Sequence, residues 1–177
     1  MASCGRFCGM AEIVLREITK DNWTQCLNLT LRLEQGGLVA PNSYRFPEFR
    51  AEPTFVQVGI YCKDEMVGFA MYGIDPDDGK YWLFRLMIDE RHQGQGYGKA
   101  ALAKIIDRLR MLPDCDEIFV GYRPENHMAA SLYGGFNFAR TGEMLCGEFI
   151  ARLDLNHKEA MEPVEKVLDS QAANEAA

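Results

Sequence analysis

The first part of the chain changes from an alternating pattern to a helical one. Residues Glu12–Ile18 alternate between apolar and polar positions, as expected of a strand with one buried face. A helix is predicted over Lys20–Leu33, with Thr19 as its N-cap, a buried stripe that includes Trp23, and a pair of glycines at its end. The proline-containing segment 38–53 is predicted to be a loop with a short second helix.

Three strands are predicted in the middle of the chain. Apolar runs rich in β-branched and aromatic residues cover Phe55–Cys62, Met66–Ile74 and Tyr81–Ile88. Polar turns separate them at 63–65 and 75–79. The third run is apolar at almost every position, which is typical of a strand covered on both faces.

The second half alternates helices and strands. A helix is predicted over Tyr97–Met111, a strand over Glu117–Gly121 and a short helix over His127–Tyr133. A terminal hairpin is predicted from Phe138–Thr141 and Leu145–Leu153. The order β-α-α-β-β-β-α-β-α-β-β indicates an α/β fold with a mixed sheet, parallel only around the Tyr97–Met111 helix.

The chain of 177 residues has the length of one domain. We assign 11–155 to that domain, 1–10 to a flexible leader, and the acidic, alanine-rich 156–177 to a peripheral helix or a disordered tail. No apolar run approaches the roughly 20 residues of a membrane-spanning helix. The first ten residues lack the apolar core of a signal peptide, so we expect a cytoplasmic protein.

The net charge and the cysteines indicate which macromolecular partners and metal sites are not expected. The 19 basic and 26 acidic residues give a net charge of -7. We therefore expect neither nucleic acid nor an anionic membrane as a partner, because both would repel the chain. The six cysteines are scattered and have no histidine at ligand spacing, which predicts reduced thiols and no metal site.

A glycine-rich turn joins the third predicted strand to the long helix. Its sequence from Gln93 to Lys99 is QGQGYGK. Free backbone N–H groups at a helix start can cradle a diphosphate, and glycine lets the ligand approach them closely. The turn lacks the GK[ST] ending of a P-loop, and Lys99 occupies the last glycine position of a GxGxxG fingerprint. A diphosphate cradle and a simple tight connection both remain open on this pattern.

The short helix carries a second motif. Asn126 and Tyr133 are seven residues apart, nearly two helical turns, and therefore lie on the same side of the helix. By itself this spacing is more typical of a capping asparagine and a core tyrosine than of a pair of functional residues.

Together the two motifs resemble the GCN5-related N-acetyltransferases (GNAT). Gln93, Gly96 and Gly98 match the [Q/R]xxGxG coenzyme A pyrophosphate loop of that family. The NxxAxxLY element that follows it is matched by four residues, Asn126, Ala129, Leu132 and Tyr133. The resemblance spans 12–153. It is closest to bacterial spermine, spermidine and diamine acetyltransferases, through the segments 39–44, 67–73 and 88–91.

The resemblance implies a fold and a way of binding acetyl-CoA. Acetyl-CoA would lie between two splayed parallel strands, Leu83–Ile88 and Glu117–Tyr122. Main-chain groups of the first strand would pair with its amides, backbone N–H groups of the glycine turn would hold its pyrophosphate, and Asn126 would contact its pantetheine arm. The implied cofactor-binding residues are Leu86, Met87, Ile88, Gln93, Gly94, Gln95, Gly96, Tyr97, Gly98, Lys99 and Asn126. A homodimer is implied by the resemblance alone.

The implied reaction is direct attack of an amine on the thioester. An alkylamine has a pKa near 10.4, so only of the order of one part in a thousand is nucleophilic at pH 7. A base must therefore take its proton. The resemblance implies Tyr133 as the general acid for the leaving thiolate. Full transfer from a phenol would cost roughly 2 kcal/mol in water, so we expect a stabilising hydrogen bond.

The base and the acceptor site are not resolved by the sequence. The sequence departs from the polyamine enzymes at two places. Those enzymes tend to carry an acid near position 84, where this chain has Phe84 and Arg85. They also carry Gly-Phe after the helix that contains the tyrosine, where this chain has Asn137-Phe138. Candidate acceptor residues are Asn42, Tyr44, Asp75 and Phe84. Candidate bases are Glu34, Asp75, Asp77, Asp78, Asp89, Glu90, Glu143 and Glu148.

The leading hypothesis is therefore an N-acetyltransferase that acts on a small primary amine, a polyamine or diamine first. Acetylation of a protein, a peptide or an aminoglycoside is the alternative within enzymes. A non-catalytic acyl-CoA sensor is the alternative outside them, although such a sensor would have less use for the Tyr133 hydroxyl.

Overall fold

A computed structural model describes residues 12–31 and 54–156. In these residues seven strands form one sheet, in the order β1-β2-β3-β4-β5-β7-β6. The strands are β1 Val14–Glu17, β2 Phe55–Cys62, β3 Glu65–Ile74, β4 Tyr81–Ile88, β5 Glu117–Tyr122, β6 Ala139–Leu145 and β7 Glu148–Asp154. The helices are α1 Trp23–Leu27, α2 Tyr97–Arg110 and α3 His127–Gly134, and a 3-10 helix covers Glu90–His92.

All neighbouring strands are antiparallel except β4 and β5, which are parallel, as the sequence predicted. The parallel pairing is short. It joins Tyr81–Leu83 of β4 to Ile118–Val120 of β5 and ends at the pair Leu83 and Val120. The two strands are unpaired with each other beyond this point, so the sheet is open along its centre.

A β-bulge on β4 lies where the pairing ends. On its β3 side, Tyr72 is opposite Leu83 and Met71 is opposite Arg85, so Phe84 is the extra residue. A bulge bends its strand and increases the local twist. It turns β4 away from β5 and leaves a space, here called the β4–β5 gap, between 84–88 of β4 and 121–122 of β5.

The two faces of the sheet have separate cores. The larger cluster contains the buried side of α2 together with Val120 and Tyr133, and its face is here called the α2 face. The buried leucine and isoleucine side chains of α2 each contribute roughly 1.5–3 kcal/mol to this core. The smaller cluster contains Cys26, Phe69 and Met87, and its face is called the α1 face.

The prediction for the first helix was wrong in its bounds and in its cap. The helix covers only Trp23–Leu27, and its N-cap is Asn22 rather than Thr19. The Asn22 carboxamide accepts a hydrogen bond from the Thr19 N–H and donates to the Glu17 carbonyl, which holds the preceding turn open. The buried residue of this helix is Cys26, whereas Trp23 is 38% exposed.

The bounds of the terminal hairpin were also wrong. Leu145 ends β6 instead of beginning β7, and Glu148 is the first residue of β7. The turn between them is Cys146-Gly147, where both residues have positive φ, 50° and 81°. This is the two-residue turn that matches the twist of a hairpin.

Several sequence-based predictions lie outside the described residues. They are the 1–10 leader, the base candidate Glu34, the short helix within 38–53, the acceptor candidates Asn42 and Tyr44, and all but the first residue of the tail at 156–177. Among the helices of the described ranges, none has both the length and the apolar character needed to cross a membrane.

Candidate active site

The glycine turn is held in shape by side chains that fold back on the main chain. The Gln93 amide donates to the Ile88 carbonyl over 3.0 Å, which closes the turn onto the end of β4. Gln95 makes a longer contact of 3.4 Å to the Arg91 carbonyl. Gly94 and Gly96 have φ of 79° and 83°, which explains why glycine occupies both positions.

Asp89 connects this turn to the α1 side of the molecule. It is fully buried and accepts hydrogen bonds from the Thr30 N–H, the Arg91 N–H and the Arg91 guanidinium, at 3.0, 3.1 and 2.7 Å. Burial alone would raise the pKa of this carboxyl. The hydrogen bonds of Arg91 and Thr30 outweigh that effect and hold the pKa below its ordinary value. The charged form of Asp89 is thus built into the fold.

Asp89→Asn is expected to lower the free energy of unfolding at pH 7 by about 2 kcal/mol, because an amide cannot satisfy all three donors. The carboxylate contributes fully above about pH 4. Below that pH the unfolded chain takes up the proton first, and the contribution is lost. Urea unfolding at pH 7 and pH 3 measures both effects. The deficit should shrink at pH 3, whereas Asp107→Asn on the exposed side of α2 should have little effect at either pH.

The start of α2 lies beside α3. A Cβ placed on Gly98 would be 3.6 Å from the Ile88 side chain and 3.9 Å from Leu132, so strand, turn and helix are in contact here. A cleft of about 560 Å³ runs between the two helices. It is lined by Lys99, His127, Met128, Ser131, Leu132, Gly135 and Phe136.

The end of β4 offers unpaired main chain to the β4–β5 gap. Leu86, Met87 and Ile88 pair with Ala70, Phe69 and Gly68 of β3 on one side and lie beyond the β5 pairing on the other. Backbone polar groups in such a place need partners, and an amide-bearing ligand can supply them as an added strand.

Tyr133 is placed on the α2 face of the sheet. It is 7% exposed and packs against Tyr122 and Phe138, with ring centroids 5.8 and 5.5 Å away. Desolvation raises the pKa of its phenol well above the ordinary value, and the charge of Glu148 raises it further. The hydroxyl therefore stays protonated throughout the physiological range and is suited to donate a hydrogen bond.

Asn126 caps α3. Its side-chain oxygen accepts the Ala129 N–H over 3.0 Å. The capping interpretation is therefore correct, and the carboxamide nitrogen remains as a donor for a ligand. The Tyr97 hydroxyl lies 3.3 Å from the Cys62 sulfur, so this side chain already has a partner within the protein. The backbone of Tyr97 is therefore the part of this residue that is available to a ligand.

The other two described acceptor candidates lie at different places on the sheet. Phe84 is at the bulge, and its ring lies 4.5 Å from that of Phe55 and 6.4 Å from that of Trp82. Asp75 is in the β3–β4 turn, where it accepts the Asp77 N–H over 2.9 Å. This turn is at the opposite end of β4 from the glycine turn, roughly 20 Å away at the rise of a strand, so the structure does not bring Asp75 to the other candidates.

An aromatic wall on the α1 face was not predicted from the sequence. Trp82 and Phe84 on β4 join Phe119 on β5, whose ring lies 5.4 Å from that of Trp82. Lys80 lies over Phe119, with its ammonium 4.7 Å from the ring centroid. The alternation of Trp82 and Phe84 was a visible signal, but the bulge and the pairing with Phe119 are non-local.

A larger cleft of about 860 Å³ lies elsewhere, between α1 and the β2–β3 turn. Its lining includes Gln25, Asn28 and Arg91, and it contains none of the predicted site residues. Within 12–31 and 54–156, no group of three or more His, Cys, Asp and Glu side chains could hold a metal ion.

The chain matches known proteins in sequence. The model of the acetyltransferase (GNAT) family matches residues 15–138. The spermine/spermidine N(1)-acetyltransferase of Bacillus subtilis (strain 168) is 33% identical over 138 residues, which cover 75% of this chain and 91% of that protein.

Solved structures share the fold. A domain from Methanocaldococcus jannaschii has a TM-score of 0.66 at 13% identity and covers 81% of this chain and 99% of its own. The spermidine N-acetyltransferase of Vibrio cholerae, in complex with CoA and spermine, has a TM-score of 0.61 at 15% identity, with coverage of 79% and 92%. The family model and the curated relative together show that this chain belongs to the acetyltransferase (GNAT) family of N-acetyltransferases.

Proposed function

We propose that the protein transfers the acetyl group of acetyl-CoA to a small primary amine, a polyamine or diamine. The observation that carries the proposal is the open edge of β4 beyond Leu83, which ends at the glycine turn and faces the end of β5, where Tyr122 packs against the buried Tyr133. The B. subtilis relative named above acts on spermine and spermidine by its name, which supports the choice of acceptor.

The residues around the gap fit acetyl-CoA. Unpaired main chain at 86–88 matches the two amides of a pantetheine arm. The backbone at 94–99 opens a helix of 14 residues, whose dipole favours the negative charge of a pyrophosphate. Lys99 lines the adjoining cleft and supplies a cation for the nucleotide end, and the Asn126 amide nitrogen is available to the arm between them.

Tyr133 then acts on the leaving group. As the C–S bond breaks, negative charge develops on sulfur, and a fixed O–H donor in a dry site stabilises that charge. Burial raises the pKa of Tyr133, so donation of a hydrogen bond is favoured over complete transfer of the proton. A protonated tyrosine is needed for this role, and the environment keeps it protonated.

The amine approaches from the α1 face. The half-buried rings of Phe84, at the start of the gap, and of Trp82, two residues before it, lie on that face, whereas Phe119 is buried beneath Lys80. Such a wall packs against the methylene chain of a polyamine and attracts its ammonium groups by cation–π interaction, worth about 0.5–2 kcal/mol each. This chain thus has an aromatic recognition surface at the position where related polyamine enzymes tend to carry an acid.

An assay of thiol release from acetyl-CoA tests the proposal. The acceptor panel contains spermine, spermidine, putrescine, a monoamine, an aminoglycoside and a lysine peptide. Polyamines or diamines should give the highest kcat/KM, and mass spectrometry should show one added acetyl group per product. Preference for the peptide or the aminoglycoside would contradict the acceptor assignment. Absence of turnover with every amine would contradict the enzymatic function.

A further inference from the structure

A carboxylate occupies the space that glycine leaves at the mouth of the gap. Gly121 follows Val120, the last β5 residue that pairs with β4, and alternation places it on the α1 face. A Cβ built on Gly121 would lie 2.7 Å from Oε2 of Glu148 and 3.7 Å from its carboxyl carbon. The Glu148 carboxylate therefore lies directly over the bare backbone of Gly121.

The hairpin turn puts Glu148 there. Cys146-Gly147 forms the tight turn, and β7 begins at Glu148. Phe149 and Ala151 face the α2 core, so Glu148 projects to the other face, diagonally across from Gly121.

Glu148 is also the described acid best placed to act at the gap. It is half-buried and makes no ion pair or hydrogen bond with residues 12–31 or 54–156. Its charge acts on Tyr133, whose phenol lies on the α2 face. By contrast, Asp89 is buried against Arg91, and Asp78 accepts the indole N–H of Trp82 over 3.1 Å.

We propose that Glu148 accepts the proton of the acceptor's ammonium group, an inference that rests on the proposed function. The ammonium enters from the α1 face and gives one proton to the carboxylate. Its nitrogen lone pair then bonds to the thioester carbonyl carbon, the C–S bond breaks, and the electron pair passes to sulfur beside the Tyr133 hydroxyl. The second proton of the nitrogen ends on the CoA thiol, and the proton on Glu148 leaves to solvent, one per turnover.

The neighbouring elements bring other titratable groups close to Glu148. The titratable groups of the neighbouring elements nearest to Glu148 are Tyr122 on β5, the exposed Arg123 that follows it at the position opposite Glu148, Tyr133 on α3, and Arg140 and Glu143 on β6. The Arg140 guanidinium lies 4.1 Å from the ring centroid of Phe149 and donates to the Tyr122 hydroxyl, so it is held by other groups.

The test compares Glu148→Gln with the wild type and with Glu17→Gln, which changes an exposed acid on β1 at the far edge of the sheet. At pH 7, Glu148→Gln should lower kcat for the best polyamine by about 100-fold or more, since a positioned base typically contributes about 10²–10⁴-fold. The defect should shrink several-fold by about pH 10, where solution itself supplies neutral amine. Acetyl-CoA affinity, measured by calorimetry, should be unchanged.

A second variant tests the placement. Gly121→Ala puts a methyl group where the carboxylate lies, and the flexible end of Glu148 must move away. Gly121→Ala should also lower kcat, without a change in acetyl-CoA affinity. In the double variant, kcat should be close to that of Glu148→Gln alone.

The outcomes separate the two proposals. An active wild type whose kcat is unaffected by Glu148→Gln, or a defect that is equal at pH 7 and pH 10, would overturn the role of Glu148 and leave the proposed function intact. A rise in KM alone would overturn it too, since Glu148 would then only attract the cation. A wild type without activity on any amine would overturn both.

Discussion

Replacing Tyr133 by phenylalanine is expected to lower kcat for acetyl transfer by at least about tenfold while acetyl-CoA still binds. The change removes one hydroxyl and keeps the ring that packs between Tyr122 and Phe138. No residue of 12–31 or 54–156 accepts a hydrogen bond from that hydroxyl, so stability at pH 7 should change little. Stopped-flow or steady-state thiol release gives kcat, and calorimetry gives the affinity.

Tyr72→Phe is the matched control, because Tyr72 is a similarly buried tyrosine of the same core at the far end of α2, near Arg108. It should keep the wild-type kcat. A Tyr133→Phe variant with unchanged kcat would remove the tyrosine from the mechanism. The raised pKa of Tyr133 adds a second signature. Above about pH 10 the wild type should lose stability relative to Tyr133→Phe, because unfolding releases a proton that the folded phenol retains.

Gly96→Ala is expected to weaken acetyl-CoA binding by at least about tenfold, since it distorts the backbone N–H groups at the start of α2. Gly96 has a φ of 83°, and a Cβ added to it would have no neighbouring atom within 4 Å. Alanine therefore meets backbone strain of about 1 kcal/mol without a clash inside the protein.

Gly79→Ala provides the control for this strain. Gly79 has a φ of 70°, and a Cβ added to it would also have no neighbouring atom within 4 Å. It lies in the β3–β4 turn, far from the glycine turn. Both variants should lose similar stability in thermal unfolding, and only Gly96→Ala should lose acetyl-CoA affinity in calorimetry. Equal affinity in the two variants would show that the turn is a connection and not a ligand cradle.

Local patterns predicted the centre of the fold well. The strands Phe55–Cys62 and Tyr81–Ile88 and the start of the long helix at Tyr97 have the bounds expected from apolar runs that end at turns. The Lys20–Leu33 helix failed because the side chain of Asn22 stabilises a turn ahead of Trp23. The hairpin bounds failed because the decisive signal was a single glycine, Gly147.

The site was predictable only where its chemistry is local in sequence. The glycine turn and the spacing of Asn126 and Tyr133 are properties of short segments, and they meet at the end of β4, where Gly98 lies near the side chains of Ile88 and Leu132. The bulge at Phe84 depends on the register with β3, and the place of Glu148 over Gly121 depends on a hairpin that returns from β6. Both arise from pairing between distant segments, which no local pattern encodes.

The most direct test of the account is amide hydrogen exchange of the intact protein with and without acetyl-CoA. If acetyl-CoA binds in the β4–β5 gap, exchange should slow on binding in two segments, 84–88 at the open edge of β4 and 94–99 in the glycine turn. Protection confined to the cleft lined by Gln25, Asn28 and Arg91 would contradict it, because acetyl-CoA would then bind away from Tyr133.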